Sequence, residues 1–92
     1  LGNELSLTLY PNPMKDHATL SYTIPADGQV LVQIYNSIGS VLSVVVNEPK
    51  SKGTYTMNFD SGSLPYGLYF AKIKLHGNGP EQVRTVRFVK SK

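Results

Sequence analysis

At 92 residues the chain has the size of one small domain with a thin core, and a chain this short buries only about 60% of the surface it exposes when unfolded. It is 40% hydrophobic and 16% charged and has no cysteine, which excludes disulfides, thiolate nucleophiles and cysteine-based zinc sites. The net charge of +3 is modest for a nucleic-acid binder, and six of the nine basic residues (Lys72, Lys74, Arg84, Arg87, Lys90, Lys92) fall in the last quarter.

In chain order, alternation with a period of two recurs from end to end, the pattern of strands with one buried face. Leu5, Leu7 and Leu9 alternate with Ser6, Thr8 and Tyr10, and the chain leaves this strand at Pro11-Asn12-Pro13. Each proline there lacks a ladder N–H and holds the preceding residue extended. Leu20, Tyr22 and Ile24 continue the rhythm. After Ala26-Asp27-Gly28 it passes to Val30, Val32 and Ile34, and the Asp-Gly pair predicts a hairpin between these two strands. One tight turn at Tyr35–Gly39 leads into the run Val41–Val46, whose facing direction the sequence leaves open: either both sides are covered, or it is an edge packed under a loop.

Thr54–Phe59 alternates through Tyr55, Met57 and Phe59 and stops at Asp60-Ser61-Gly62-Ser63, a cluster of turn formers. The stretch from Leu68 to Leu75 sets Tyr69, Ala71, Ile73 and Leu75 inward. Past the loop His76–Pro80, a last strand Gln82–Lys90 places Val86 and Phe88 inward. No segment combines helical spacing with a cap and ten residues of length. Seven or so short strands punctuated by turns predict an immunoglobulin-like or fibronectin-like antiparallel sandwich, with a small barrel as the rival. Residues 1–92 read as one domain without internal linkers, frayed only at the first few and last few residues.

Candidate chemistry is sparse. His17 and His76 lack any partner at metal-ligand spacing. Glu4, Asp16, Asp27, Glu48, Asp60 and Glu81 are scattered beside turns, no Gly-x-Ser-x-Gly occurs, and no glycine pattern cradles phosphate. The expectation is a protein without catalytic residues, metal or cofactor. Tyr22, Tyr55, Phe59 and Tyr69 fall on the core register, away from the basic residues, which disfavours a nucleic-acid surface. No apolar run is long enough for a membrane helix, and the first residues do not form a leader, so any leader of an exported parent is expected upstream.

Three segments carry a resemblance. Tyr10-Pro11-Asn12-Pro13, the Leu64-Pro65-Tyr66-Gly67-Leu68-Tyr69-Phe70 stretch and the terminal Val86-Arg87-Phe88-Val89-Lys90, read with Ala18–Gly39, closely resemble the type A C-terminal sorting domain of type IX (Por) secretion cargo. The resemblance runs from Leu9 to Lys90, with Asn36-Ser37-Ile38-Gly39 a mild departure. It implies a folded address label that follows a cargo domain and is carried through the periplasm and outer membrane of a Gram-negative bacterium by translocon components. It also implies removal by a surface sortase in many cases, with delivery to the cell surface or medium.

Within that resemblance Arg84, Val86, Arg87, Phe88, Val89 and Lys90 are the candidates for recognition, the alternative being a solvated edge strand blunted by lysines. An exposed last strand would also suit capture by strand addition. Tyr10, Pro11, Asn12, Pro13, Gly67 and Tyr69 are expected to be structural. Gly67 would supply a positive φ or a close approach, and Tyr69 a buried ring with a tied hydroxyl. An accessory carbohydrate-binding module or a structural spacer of an extracellular enzyme is the competing function.

Overall fold

A computed structural model describes residues 4–92. Seven strands form in chain order: β1 (Ser6–Tyr10), β2 (His17–Ile24), β3 (Gly28–Asn36), β4 (Val41–Lys50), β5 (Gly53–Asp60), β6 (Gly67–His76) and β7 (Gln82–Lys90). They make two antiparallel sheets, β1-β2-β5 and β4-β3-β6-β7. The fourth strand joins the sheet of the third, which gives the three-plus-four division of a fibronectin-like sandwich.

The alternation in the sequence becomes the core between the sheets. Leu7, Leu9, Leu20, Tyr22 and Ile24 from the smaller sheet meet Val30, Val32, Ile34, Ala71 and Ile73 from the larger, all buried. At about 25 cal/mol per Å² of apolar surface, each such residue contributes roughly 1.5–3 kcal/mol. The rings continue this packing: Tyr22 stacks on Tyr55 at 5.3 Å between centroids, and Phe59 meets Phe88 edge-on at 5.8 Å.

Two expectations change. The Asp27-Gly28 turn does not close a hairpin, because β2 pairs with β1 and β5 while β3 pairs with β4 and β6. The turn instead carries the chain from one sheet to the other. Gly28 is required there by proximity: a Cβ would sit 2.7 Å from the backbone oxygen of His76. Of the two readings of the run Val41–Val46, the covered strand fails and the edge strand holds, though without a loop covering Val41, Leu42 and Val44. The run forms the outer edge of the larger sheet, where only Val46 is buried and Val41, Leu42 and Val44 stay exposed. The expected turn after β3 is present, held by Asn36, whose side-chain oxygen accepts from the N–H of Ile38 and of Ser40.

The expected fraying of the first few residues falls on 1–3, outside the described residues. At the other end Ser91 is tied down, its N–H donating to the Met14 oxygen at 2.8 Å.

Candidate recognition surface

The three motifs converge on one side of the sandwich. After β1 the chain crosses to the outer edge of β7 through Tyr10–Pro13, where both X–Pro bonds are cis. Asn12 then stands in for a strand. Its amide donates to the Arg87 oxygen at 3.0 Å, and its side-chain oxygen accepts from the Val89 N–H at 3.0 Å. Met14 continues the pairing: its N–H donates to the Val89 oxygen at 2.9 Å, its oxygen accepts from Ser91, and its side chain is fully buried. The Arg87 oxygen, both outward backbone groups of Val89 and the Ser91 N–H are therefore satisfied by the chain itself. This corrects the expectation of an open last strand, since from the Arg87 oxygen onward the edge of β7 is closed to strand addition. Among the described residues of β7, Val83, Thr85 and the Arg87 N–H keep outward backbone groups free of this strap, by the alternation of an antiparallel ladder, and the Arg84 side chain already donates to the Val83 oxygen at 2.9 Å.

The second motif buttresses the third from the other flank. Gly67, at φ 148°, takes a backbone conformation that L residues rarely adopt, with open space where a Cβ would stand, so conformation and not crowding selects glycine. Two residues on, Tyr69 buries its ring and donates its hydroxyl to the Pro65 oxygen at 2.6 Å. This is the tyrosine corner of immunoglobulin-type folds, at the start of the sixth strand. The same ring stacks on Phe88 at 5.5 Å.

The recognition candidates divide sharply by burial. Phe88 is fully buried, Val86 and Val89 are half-buried, and Arg84 and Arg87 are exposed. Lys90 departs most from the reading of a solvated lysine: it is 3% exposed, and its ammonium donates to the Ser61 oxygen, with Asp16 at 3.9 Å. Ser61 is itself fully buried, its N–H donating to the Asp16 oxygen and its hydroxyl to the Lys15 oxygen, each at 2.8 Å. Lys90, Phe88 and Met14 are thus parts of the core, leaving Arg84 and Arg87 as the displayed members of the terminal motif.

Arg87 belongs to a wider surface. The register places Phe70 beside Arg87 and Tyr35 beside Phe70, with Lys72 and Lys74 on the same outer face of the larger sheet. Lys72 lies over the Tyr35 ring at 4.6 Å, and no carboxylate occupies an outward position in these four strands. The sequence reading followed only the core aromatics and missed Tyr35 and Phe70 as partners of the basic residues. Their outward parity in β3 and β6 was the available signal. Among the described residues no three His, Asp or Glu side chains gather into a metal-binding group.

These features define a class: a fibronectin-like module whose C-terminal strand is built into the fold by a strap from near its beginning. The model of the family described as the secretion system C-terminal sorting domain matches residues 8–86. The chain belongs to that family. It is a C-terminal sorting signal of type IX secretion, attached to an upstream cargo, handled by the secretion machinery and directing export to the outer membrane or cell surface. No match was found among curated proteins. The matched stretch includes the first two motifs and stops before Arg87, so the terminal residues enter through geometry, by their hydrogen bonds to Asn12 and Met14.

Proposed function

We propose that the domain is read by the type IX translocon as a folded label, reaching it by way of the periplasm of a Gram-negative bacterium, and that a surface sortase then removes it so that the cargo is anchored or released. In this reading the domain performs no catalysis and binds no cofactor; the chemistry resides in the cargo. The supporting observation is the match to the sorting-domain family over most of the chain. The strap from Asn12 to β7 adds that a reader meets the terminal motif as part of a folded surface, with Arg84 and Arg87 on display.

Deleting Arg87–Lys92 is a poor test, because it also removes Phe88 from the core. The decisive experiment fuses the chain behind a periplasmically exported fluorescent protein in a host with type IX machinery and compares it with Arg84→Glu plus Arg87→Glu, two surface changes that leave the core intact. Surface delivery of the parent fusion and its loss in the double variant support display of the terminal motif. Retention of the parent fusion in the periplasm overturns the sorting role. Cleavage is read separately, from the mass of the delivered cargo.

A further inference from the structure

Among the described residues the sandwich has four sheet edges, and three are protected. β1 is only five residues long and lies against β7 and β6. β7 is closed from the Arg87 oxygen onward by the Asn12–Met14 strap. β4 carries two register shifts opposite Val32/Gln33 and Ile34/Tyr35, together with Pro49, and bulges and prolines of this kind blunt an edge against further pairing. β5 has none of these devices. It is an eight-residue strand in unbroken register with β2, containing no proline and no lysine.

The direction of its backbone groups follows from one bond. The Ser61 N–H donates to the Asp16 oxygen, and the register continues from His17↔Asp60, so Tyr55, Met57 and Phe59 turn their backbone groups to β2. Thr54, Thr56 and Asn58 turn theirs to the free side, where no described residue accepts from or donates to them.

The space beside β5 is shaped for one more strand. With β1 lying against β7 and β6, three strands face four, and β4 projects past β5. The inward-register residues Ser43 and Glu48 on β4 are consequently exposed, while Tyr55 and Met57 on β5 are only half-buried. Between the two edges run two clefts. One of about 300 Å³ is lined by Tyr22, Val46, Tyr55 and Met57 and bounded by the Glu48–Lys50 pair at 2.7 Å; the other, of about 210 Å³, is lined by Leu42, Ser43, Phe59 and Leu64.

We propose that β5 is a strand-acceptor edge: an extended segment of a secretion-machinery protein adds in trans as a fourth strand of the smaller sheet, with alternate apolar side chains entering the two clefts. Main-chain bonds to Thr54, Thr56 and Asn58 supply affinity and the clefts supply selectivity. An antiparallel segment places its C-terminal end at Lys52, which has no ion pair among the described residues, so an acidic residue there completes the match. A second copy does not fit the same place. Pairing β5 with β5 would drive the projecting β4 of each copy into the other, since one strand of overhang leaves room for one strand.

That the segment comes from the machinery rests on the sorting function; the acceptor edge itself does not. The probe is a blocked hexapeptide alternating threonine and valine, with glutamate last, added to the 92-residue chain at millimolar concentration. The expected result is slowing of amide exchange at Thr54, Thr56 and Asn58 by at least about tenfold, absent in Thr56→Pro and Thr56→Lys. Proline is compatible with folding at Thr56 because its N–H points to solvent, and the lysine variant serves should proline unfold the chain. No protection, or protection at Val83 and Thr85 instead, overturns the proposal. Protection that rises with protein concentration and no peptide assigns the edge to a second copy and also overturns it. In the fluorescent fusion, Thr56→Lys is expected to lower surface delivery by about tenfold or more. Normal delivery of this variant beside a delivered parent removes the machinery as donor while the sorting role stands. Failure of the parent itself removes the sorting role and leaves peptide binding to decide the edge.

Discussion

Asn12 and Val89, 77 residues apart in sequence, are joined at 3.0 Å by the Val89 N–H donating to the Asn12 side-chain oxygen, and the Asn12 amide returns a bond to Arg87. A side chain from the first loop thus occupies the hydrogen-bonding positions of a neighbouring strand. Asn12→Ala removes both bonds at a net cost of about 0.5–1.5 kcal/mol each, hence a loss near 1–3 kcal/mol. For a chain of this size, each kcal/mol lowers Tm by about 4–8 °C. Urea denaturation measures the loss. Amide exchange adds a local readout, with Val89 and Ser91 speeding up while Ile73 keeps its protection.

Tyr69 and Phe88 form the second joint between motifs, and two substitutions separate its parts. Tyr69→Phe keeps the stack and deletes the bond to the Pro65 oxygen, so a loss of about 1 kcal/mol is expected. Phe88→Ala empties a fully buried position that touches Tyr69 and Phe59, at about 3–5 kcal/mol. Against a total stability of roughly 5–15 kcal/mol, that variant stands near the unfolding threshold. Circular dichroism melts of the two variants are expected to differ accordingly; equal losses would mean that Phe88 is not the anchor of β7.

The strands were legible because nearly every one has a buried and a wetter face, which writes a period of two into Leu5–Leu9, Leu20–Ile24 and Tyr69–Leu75. What joins strand to strand was less so. Asp27-Gly28 marks a tight turn, but a turn that closes a hairpin and one that steps between sheets use the same residues, and the choice depends on how Gly28 meets His76. Lys90 shares the parity of Val86 and Phe88, so its inward direction was present in the pattern. Its burial was not, because a lysine is accepted inside only where a group such as the Ser61 oxygen receives it, and that residue comes from a turn 29 positions away. Met14 gave no periodic signal at all, sitting alone between a proline and a lysine.

Alkaline conditions are expected to weaken the fold through Tyr22 and Lys50. Burial raises the Tyr22 hydroxyl above its ordinary value, against the lowering effect of the Lys50 charge, and the hydrogen bond to Glu48 raises Lys50. Both groups hold their protons more tightly folded than unfolded. Their contributions are therefore complete below the unfolded values near 10 and are lost as pH rises through the folded ones. Denaturation midpoints between pH 8 and pH 11 are expected to decline at the upper end, and Tyr22→Phe to make that decline shallower. An unchanged slope in Tyr22→Phe would assign it to other groups.

Lys90 offers the sharpest separation of architecture from recognition. Its stem packs in the interior, and its ammonium reaches the Ser61 oxygen, which also accepts from the Leu64 N–H at 2.9 Å. Lys90→Met keeps most of the stem and removes a buried charge, while the Ser61 oxygen retains one partner, so stability is expected to change by no more than about 1 kcal/mol. Lys90→Ala leaves a cavity and is expected to cost about 2–4 kcal/mol. If position 90 acts through packing, the fluorescent fusion carrying Lys90→Met reaches the surface as the parent does, and the alanine variant falls in proportion to its lost stability. Loss of delivery in a Lys90→Met fusion that melts like the parent would instead make the ammonium itself a recognised group, despite its burial in the isolated fold.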